Sequence, residues 1–401
     1  MKSFWKIKKL EELSEKIEKA KAPVGTIPYI EIGNIDINNK KIIFTDKGAV
    51  NGSVFTPKDS IIISRVRPTR GAVAFIDKKI AVSSAFTIIK PKQEYNPKLL
   101  FYFLAWNKNF FAYLGERQKG TSYPSVKEKD ILEFEILLPE NKEVQQKIVK
   151  VLDVIQDAID IQEKIIEKTK ELKKSLMADL FKYGAPSFRK GRKLKETEIG
   201  EIPEGWKVVK IKDIGIVITG TTPSTSVKEF WDGEIPFVTP SDFENDSVYV
   251  YQTERKVTKD GAQKGRTIPK NSILVVCIGS TLGKIALSYE ECITNQQINA
   301  IICENFKVNP FFVYYFLMKN QGLLKAYAGT TTKPIVKKSL FETFLISLPP
   351  LSEQQEIAEI LQTIDQKIEI EKKKKELYEE LFKTILNKIM NQEIDIEKIE
   401  V

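Results

Sequence analysis

GSTLGKI, at Gly279 to Ile285, is a glycine-rich turn that ends in lysine, and such a turn can cradle phosphates with its backbone N–H groups. Its spacing argues against that chemistry. The glycines stand one residue too close together, and Ile285 fills the place where Ser or Thr would hold magnesium. A second version, RPTRGAV at Arg67 to Val73, lacks the lysine, so both stretches read as turns. PSDFEND (Pro240 to Asp246) clusters carboxylates, but a metal-dependent nuclease would need that cluster with a lysine at a fixed spacing nearby, and exposed loop acids are the simpler reading. Cys277, Cys292 and Cys303 show no Cys-x-x-Cys spacing, and the chain has no histidine. That removes the usual zinc sites, Ser-His and Cys-His nucleophile pairs and any histidine general base. The cysteines read as small buried apolar residues.

The remaining enzymatic motifs fail in the same way. NPFF at Asn309 compares with the Asn-Pro-Pro-aromatic loop of adenine methyltransferases, but its second proline is missing and its counterpart at Asn96 reads NPKL. A helix cap explains both, with Asn at the cap and Pro in the first turn. No G-x-G-x-x-G opens a strand-turn-helix unit, so a nucleotide-cofactor fold is unsupported. We assign no catalytic residue, no metal ligand and no cofactor to this chain. Lys plus Arg number 63 against 54 Asp plus Glu, a net charge of +9 with a pI near 9.0. A basic surface attracts polyanions, nucleic acid above all, although a Lys/Glu-rich surface is also that of heat-tolerant proteins.

The elements that must position any site come in duplicate. EVQQKIVKVLDVIQDAI at Glu143 to Ile159 returns as SEQQEIAEILQTIDQKI at Ser352 to Ile368, at a constant shift of 209 residues that carries Gln145 onto Gln354 and Leu180 onto Ile389. Upstream, NPKLLFYFL answers NPFFVYYFL, SIIISRVRPTRGAVAF answers SILVVCIGSTLGKIAL, and WKIKKLEEL answers WKVVKIKDI. The chain is a tandem duplication in which a variable globular region precedes a long helix, twice. Val144, Ile148, Val151, Ile155, Ala158, Ile165, Leu172 and Leu176, with Gln162 and Thr169, trace a narrow seam of alternating threes and fours. Ile357, Leu361, Ile364, Ile368, Tyr378, Phe382, Ile385 and Ile389 trace another. A seam that narrow suits a coiled coil. Pairing of the two copies within one chain is favoured over pairing between chains. About 40 residues would make a rod of about 60 Å. The globular regions carry short β-branched strands broken by Gly and Pro, and Lys182 to Trp206 reads as a charged linker. The expected fold is α+β: two pseudo-symmetric mixed domains joined by two long helices in an antiparallel coiled coil, with domains at 1–140 and 186–349 and helices at 141–185 and 350–395. Apolar runs such as SIIIS and SILVVCI are too short to span a bilayer, and the N-terminus lacks an apolar signal core, so the expectation is a cytoplasmic protein without a membrane.

These words resemble one family, the specificity subunits of type I restriction-modification enzymes. The carrying motifs are KETEIGEIPEGWKVVKIKDI from Lys195, GTTPSTSVKEFWDGEIPFVTPSDF from Gly220, GTTTKPIVKKSLFETFLISLPPLSEQQEIAEIL from Gly329, and GTSYPSVKEKDILEFEILLP from Gly120. Together with the repeat they cover nearly the whole chain. The first half departs from the pattern, with KAPVGT at Lys21 to Thr26 where GTTPSTS would stand, so its domain is expected to read a different sequence. The resemblance implies that each variable region reads one half of a split double-stranded DNA site while the helices fix the gap. It also implies that methyltransferase subunits dock on the helices and that restriction subunits join through them. S-adenosylmethionine, ATP and magnesium would then belong to those partners. Two readers about 34 Å apart would meet the same face of DNA. A plain coiled-coil scaffold, and a methyltransferase system without a nuclease, remain as rivals.

A DNA reader needs cations for phosphates and directed donors for base edges. In the first domain Arg65, Arg67 and Arg70 crowd the turn RVRPTR, and Lys119, Thr121, Ser122 and Tyr123 occupy ERQKGTSYPS. The second domain offers Ser280, Thr281 and Lys284, then Thr330, Thr331, Thr332 and Lys333, in the corresponding loops. Lys264 and Arg266 add candidate phosphate contacts. Ordinary exposed surface is the competing account of each, and a solvated linker that of FRKGRK at Phe188 to Lys193.

Overall fold

The computed structural model describes residues 5–18, 20–304, 307–329 and 334–398. Two compact units cut across the order of the sequence: Met1–Glu163 with Lys373–Val401, and Lys164–Lys372. The long helices, Lys142–Tyr183 and Leu351–Met390, each contribute a part to both.

In the first unit, strand Trp5–Lys9 pairs antiparallel with Glu135–Pro139, the strand that leads into the first long helix. Between them lie a four-stranded sheet, in the order Gly48–Ala49, Gly25–Ile30, Ile80–Val82 and Val54–Thr56, and a three-stranded sheet, Val73–Ile76, Ser60–Ser64 and Phe86–Ile89. Ser60–Ser64 is buried along its whole length, which is why its apolar residues run on rather than alternate. Helix Pro97–Ala105 follows, with the Asn96 side chain accepting from the backbone N–H groups of Lys98 and Leu99.

The second unit repeats the plan. Lys207–Lys210 pairs antiparallel with Leu345–Leu348, ahead of the second long helix. A five-stranded sheet runs Gly215–Thr219, Ile298–Cys303, Ile273–Val276, Ile285–Ser288 and Tyr249–Val250. A three-stranded sheet joins Arg255–Val257, Trp231–Val238 and Ile293–Thr294. Helix Pro310–Lys319 is capped by Asn309 as its counterpart is by Asn96. One glutamine locks each capped helix to its long helix. Gln145 accepts from Asn96 N (2.7 Å) and donates to the carbonyl of Pro139 (2.9 Å), and Gln354 does the same with Asn309 N (2.8 Å) and Pro349 O (2.8 Å). These buried amides explain why the words around VQQ and EQQ are shared.

Within each unit the helices run antiparallel. In the first, Glu163 pairs with Lys375, while Ile148, Leu152 and Ile159 share a core with Phe382, Leu386 and Ile389. In the second, Lys173 pairs with Asp365, and Leu180 and Phe181 share a core with Ile357 and Leu361. The fold is thus the expected one: two mixed domains on a helix pair. The seam of the first helix is corrected by one residue beyond its first turns. Ile165 and Leu172 stand 37% and 52% exposed, whereas Ile159, Ile166 and Leu180 are buried beside Gln162 and Thr169. The buried glutamine at 145, not Val144 alone, begins the three-four alternation, and apolarity by itself gave the wrong phase. The linker is corrected too. Ala185, Ile202 and Trp206 are buried in the second core, Arg189 pairs with Asp179, and Arg192 pairs with Glu353, so this stretch is packed.

Candidate nucleic-acid interface

Both loops singled out in the first domain form one surface. Val66 and Ser125 make a β-bridge, Arg67 N donates to Pro124 O (2.7 Å), and Lys119 and Ser125 exchange backbone hydrogen bonds. On this platform the Arg67 guanidinium donates to Ser122 O (3.2 Å) and lies 4.9 Å from the centre of the Tyr123 ring, itself 71% exposed. Thr121 and Ser122 are exposed beside it, as is Arg70. Arg65 is turned differently. Its guanidinium donates to Ser84 O and its Nε is buried, so it braces the turn against Phe86–Ile89 as much as it faces outward.

Arg67 sits in the left-handed region at φ 47°, a conformation that costs an L-residue about 1–2 kcal/mol. Its counterpart along the repeat is Gly279, at φ 95°. Gly279 N donates to Pro334 O (3.0 Å) as Arg67 N donates to Pro124 O, and Ile278 bridges Ile335 as Val66 bridges Ser125. The backbone therefore asks for glycine at this place in both domains, and the first domain carries arginine there instead. Gly71 and Gly283 close the two turns, both at positive φ. Lys40 Nζ reaches Gly71 O (2.8 Å), and burial pushes its ammonium down to about 8.

In the second domain Ser280 is exposed and Thr281 half-buried on that turn. Lys284 does not join them. Its ammonium donates to Phe243 O (2.9 Å) and lines a recess with Glu244 and Asp246, so it supports the acidic loop. Thr330, Thr331, Thr332 and Lys333 lie outside the described residues. Arg266 is exposed and donates to Thr219 O (2.7 Å), at the root of the GTTPSTS stretch, while Lys264 is exposed at the end of the short helix Lys259–Lys264.

A reader of the sequence passes over one group here. Exposed Gln296 accepts from Thr222 Oγ1 (2.8 Å), while Gln297 Nε2 donates to Ile278 O (3.4 Å), which ties this amide-rich turn to the Ser280 loop. Asn and Gln side chains present the paired donor and acceptor that fit adenine's major-groove edge. The run Asn295-Gln296-Gln297 was the available signal, hidden inside a strand-like stretch. Among the described residues no cluster of Cys, Asp or Glu could hold a metal ion, and no helix is long and apolar enough to cross a membrane.

The model of the type I restriction modification DNA specificity domain matches this chain twice, over residues 2–171 and 203–380. The chain is 29% identical over 337 residues to the type I restriction enzyme MjaVIII specificity subunit of Methanocaldococcus jannaschii, a match covering 81% of this chain and 77% of that one. To the MjaIX specificity subunit of the same organism it is 39% identical over 204 residues, about half of each chain (49% and 47%). In fold it is similar to the type I restriction-modification S subunit from M. genitalium, with a TM-score of 0.60 at 17% identity over 96% and 95% of the two chains.

Proposed function

This chain belongs to the type I restriction-modification DNA specificity family, and we propose that it is the non-catalytic chain that selects the sequence for partner enzymes. On this reading residues 1–140 and 186–349 are target-recognition domains, each reading one half of a bipartite double-stranded site. Helices 141–185 and 350–395 act as the ruler between them. Methyl transfer, ATP use and cleavage belong to methyltransferase and restriction subunits, which bring S-adenosylmethionine, ATP and magnesium, and the complex works in the cytoplasm. The observation that carries the reading is the repeat-equivalent pair of loops, bridged in the same way in both domains, with an arginine held in a left-handed place next to an exposed tyrosine. Arg65, Arg67, Arg70, Lys119, Thr121, Ser122 and Tyr123 are the first domain's proposed contacts. Ser280, Thr281, Thr330, Thr331, Thr332, Lys333, Lys264 and Arg266 are the second's, with Gln296 added as a base reader and Lys284 as a support.

The test is co-expression with the methyltransferase subunits in a methylation-free host, with modified bases mapped across the host DNA. Two short specific parts around a fixed unspecified gap are expected, and exchanging the residues before Glu143 changes only one part. A continuous motif, or a complex that modifies nothing, would favour a scaffold.

Docking of those subunits has a candidate surface. Val154 and Ile161, seven residues apart in the first unit, are exposed and fall on one face of the first long helix. Val154→Lys with Ile161→Lys is expected to abolish co-purification of the methyltransferase subunits while moving the melting temperature of the isolated chain by less than about 2 °C.

A further inference from the structure

We propose that the two long helices are charge-keyed to each other, so that the pairing face of the first accepts the second and rejects a copy of itself. Duplication alone does not supply that preference. Two helices descended from one sequence start out equally able to pair like with like, and the chain could then join to a second copy through first-with-first or second-with-second contacts.

Two ionic contacts between the helices, and one from the first helix to a loop of the second globular region, decide against it. In the first unit Glu163, on the first helix, accepts from both Lys41 (3.0 Å) and Lys375 of the second helix (3.1 Å). In the second unit Lys173 of the first helix meets Asp365 of the second at 2.6 Å, with side chains only 20% and 12% exposed. Asp246, on the loop that follows Trp231–Val238, meets Lys170 of the first helix at 2.5 Å, and that ammonium holds the Asp246 carboxyl below the usual range.

Substituting each partner by its repeat counterpart shows what like pairing would do. Along the 209-residue shift, Glu163 is replaced by Lys372 and Lys170 by Glu379. A second helix paired with another second helix would therefore set Lys375 against Lys372 and Asp246 against Glu379, two like-charge contacts. The run EKKKKE at Glu371 to Glu376 would lie against itself. A first helix paired with another first helix would set Glu163 against Ile166, the counterpart of Lys375, and Lys173 against Gln156, the counterpart of Asp365. Glu163 would then keep Lys41 alone, and the largely buried Lys173 would lose its carboxylate, which is costly in a partly desolvated seam. Only the mixed pair gives Glu163 and Lys173 an opposite charge on the facing helix. If each globular region reads one half-site, every assembly then carries one region of each kind, and its target is unsymmetric. That consequence rests on the proposed function, whereas the test below involves no DNA.

The test uses full-length chains whose net charge is unchanged. One variant reverses the first helix (E163K/K170E), a second reverses its partners (D246K/K375E), and a third combines all four changes. Each two-fold variant is expected to melt about 3 °C or more below the parent, and the four-fold variant to regain at least half of that loss. Loss of the Lys41 contact is common to the first and third variants, so their comparison isolates the pairing. Co-expressed under different tags, the two two-fold variants match each other in trans. Native mass spectrometry should find their heterodimer enriched about tenfold over the dimer that two tagged parent chains form, since 1.4 kcal/mol is tenfold. Where a two-fold variant fails to fold, the soluble four-fold variant makes the same point. The proposal is overturned if the four-fold variant melts no higher than the two-fold ones, or if the tagged variants associate no more than the parent chains do.

Discussion

Replacing Arg67 by glycine should leave the chain as stable as before and weaken its complex with DNA by about tenfold to a hundredfold. The stability half follows from the backbone. Arg67 holds φ 47°, its counterpart Gly279 holds φ 95°, and both make the same hydrogen bond to a proline carbonyl. Removing the side chain relieves about 1–2 kcal/mol of left-handed strain. Greater freedom of the unfolded chain offsets about 0.5–1 kcal/mol of that gain, and the lost contact with Tyr123 offsets some of the rest. The melting temperature is therefore expected to move by no more than about 2 °C. The affinity half follows from the guanidinium, which is placed beside Ser122 and Tyr123 and lacks any carboxylate partner among the described residues. A guanidinium on a base edge or phosphate is worth about 1–3 kcal/mol. Binding of the methyltransferase complex measured against salt separates the two roles. A phosphate contact lowers the slope of log affinity on log salt by about 0.9, and a base contact leaves the slope alone and relaxes one position of the recognised sequence. Unchanged affinity together with a raised melting temperature would mark Arg67 as a strained surface residue only.

That arginine illustrates what could be read before the fold was known. The duplication, the order of domain and helix, the Asn-Pro caps and the two loops of each domain were all visible, because each depends on residues close together in the chain. The strain at Arg67 was visible only in part. The aligned turns place Arg67 opposite Gly279, but that a positive φ is needed there emerges from the backbone. Lys284 looked equivalent to the loop cations, yet its carbonyl partner, Phe243, lies on a different strand connection that no local pattern reveals. Gln296 is hidden in the sequence because TNQQIN reads as part of a strand, and its exposure depends on a turn between Ile293–Thr294 and Ile298–Cys303. The helix seam failed by phase alone. Buried Gln145, Gln162 and Thr169 keep the three-four alternation, and counting apolar residues shifts it onto the exposed Ile165 and Leu172.

Glu353→Ala is expected to destabilise the second unit by about 3–5 kcal/mol. The side chain is fully buried at the start of the second long helix. One carboxylate oxygen accepts from Arg192 (2.5 Å) and from the backbone N–H of Ala185 (3.1 Å), and the other accepts from Trp206 Nε1 (3.1 Å). Truncation strands a largely buried guanidinium, a buried indole N–H and a buried backbone donor together, three donors that lose their acceptor at once. The site cannot close over the loss, because Gly184, at φ 85°, lies directly against the carboxylate and sets the path of the chain out of the first long helix. Thermal denaturation should show a drop of about 10 °C. Arg192→Ala should cost less, since the carboxylate keeps Trp206 and Ala185, and Arg192→Met combined with Glu353→Met should recover part of the loss by removing both charges. The repeat supplies the internal control. Val144 holds the counterpart place in the first helix and carries no acceptor, so Val144→Ala should cost only the burial of a small side chain, about 1–2 kcal/mol. Equal losses at the two positions would mean that Glu353 acts as space filling rather than as the acceptor that holds Arg192, Ala185 and Trp206 against the helix.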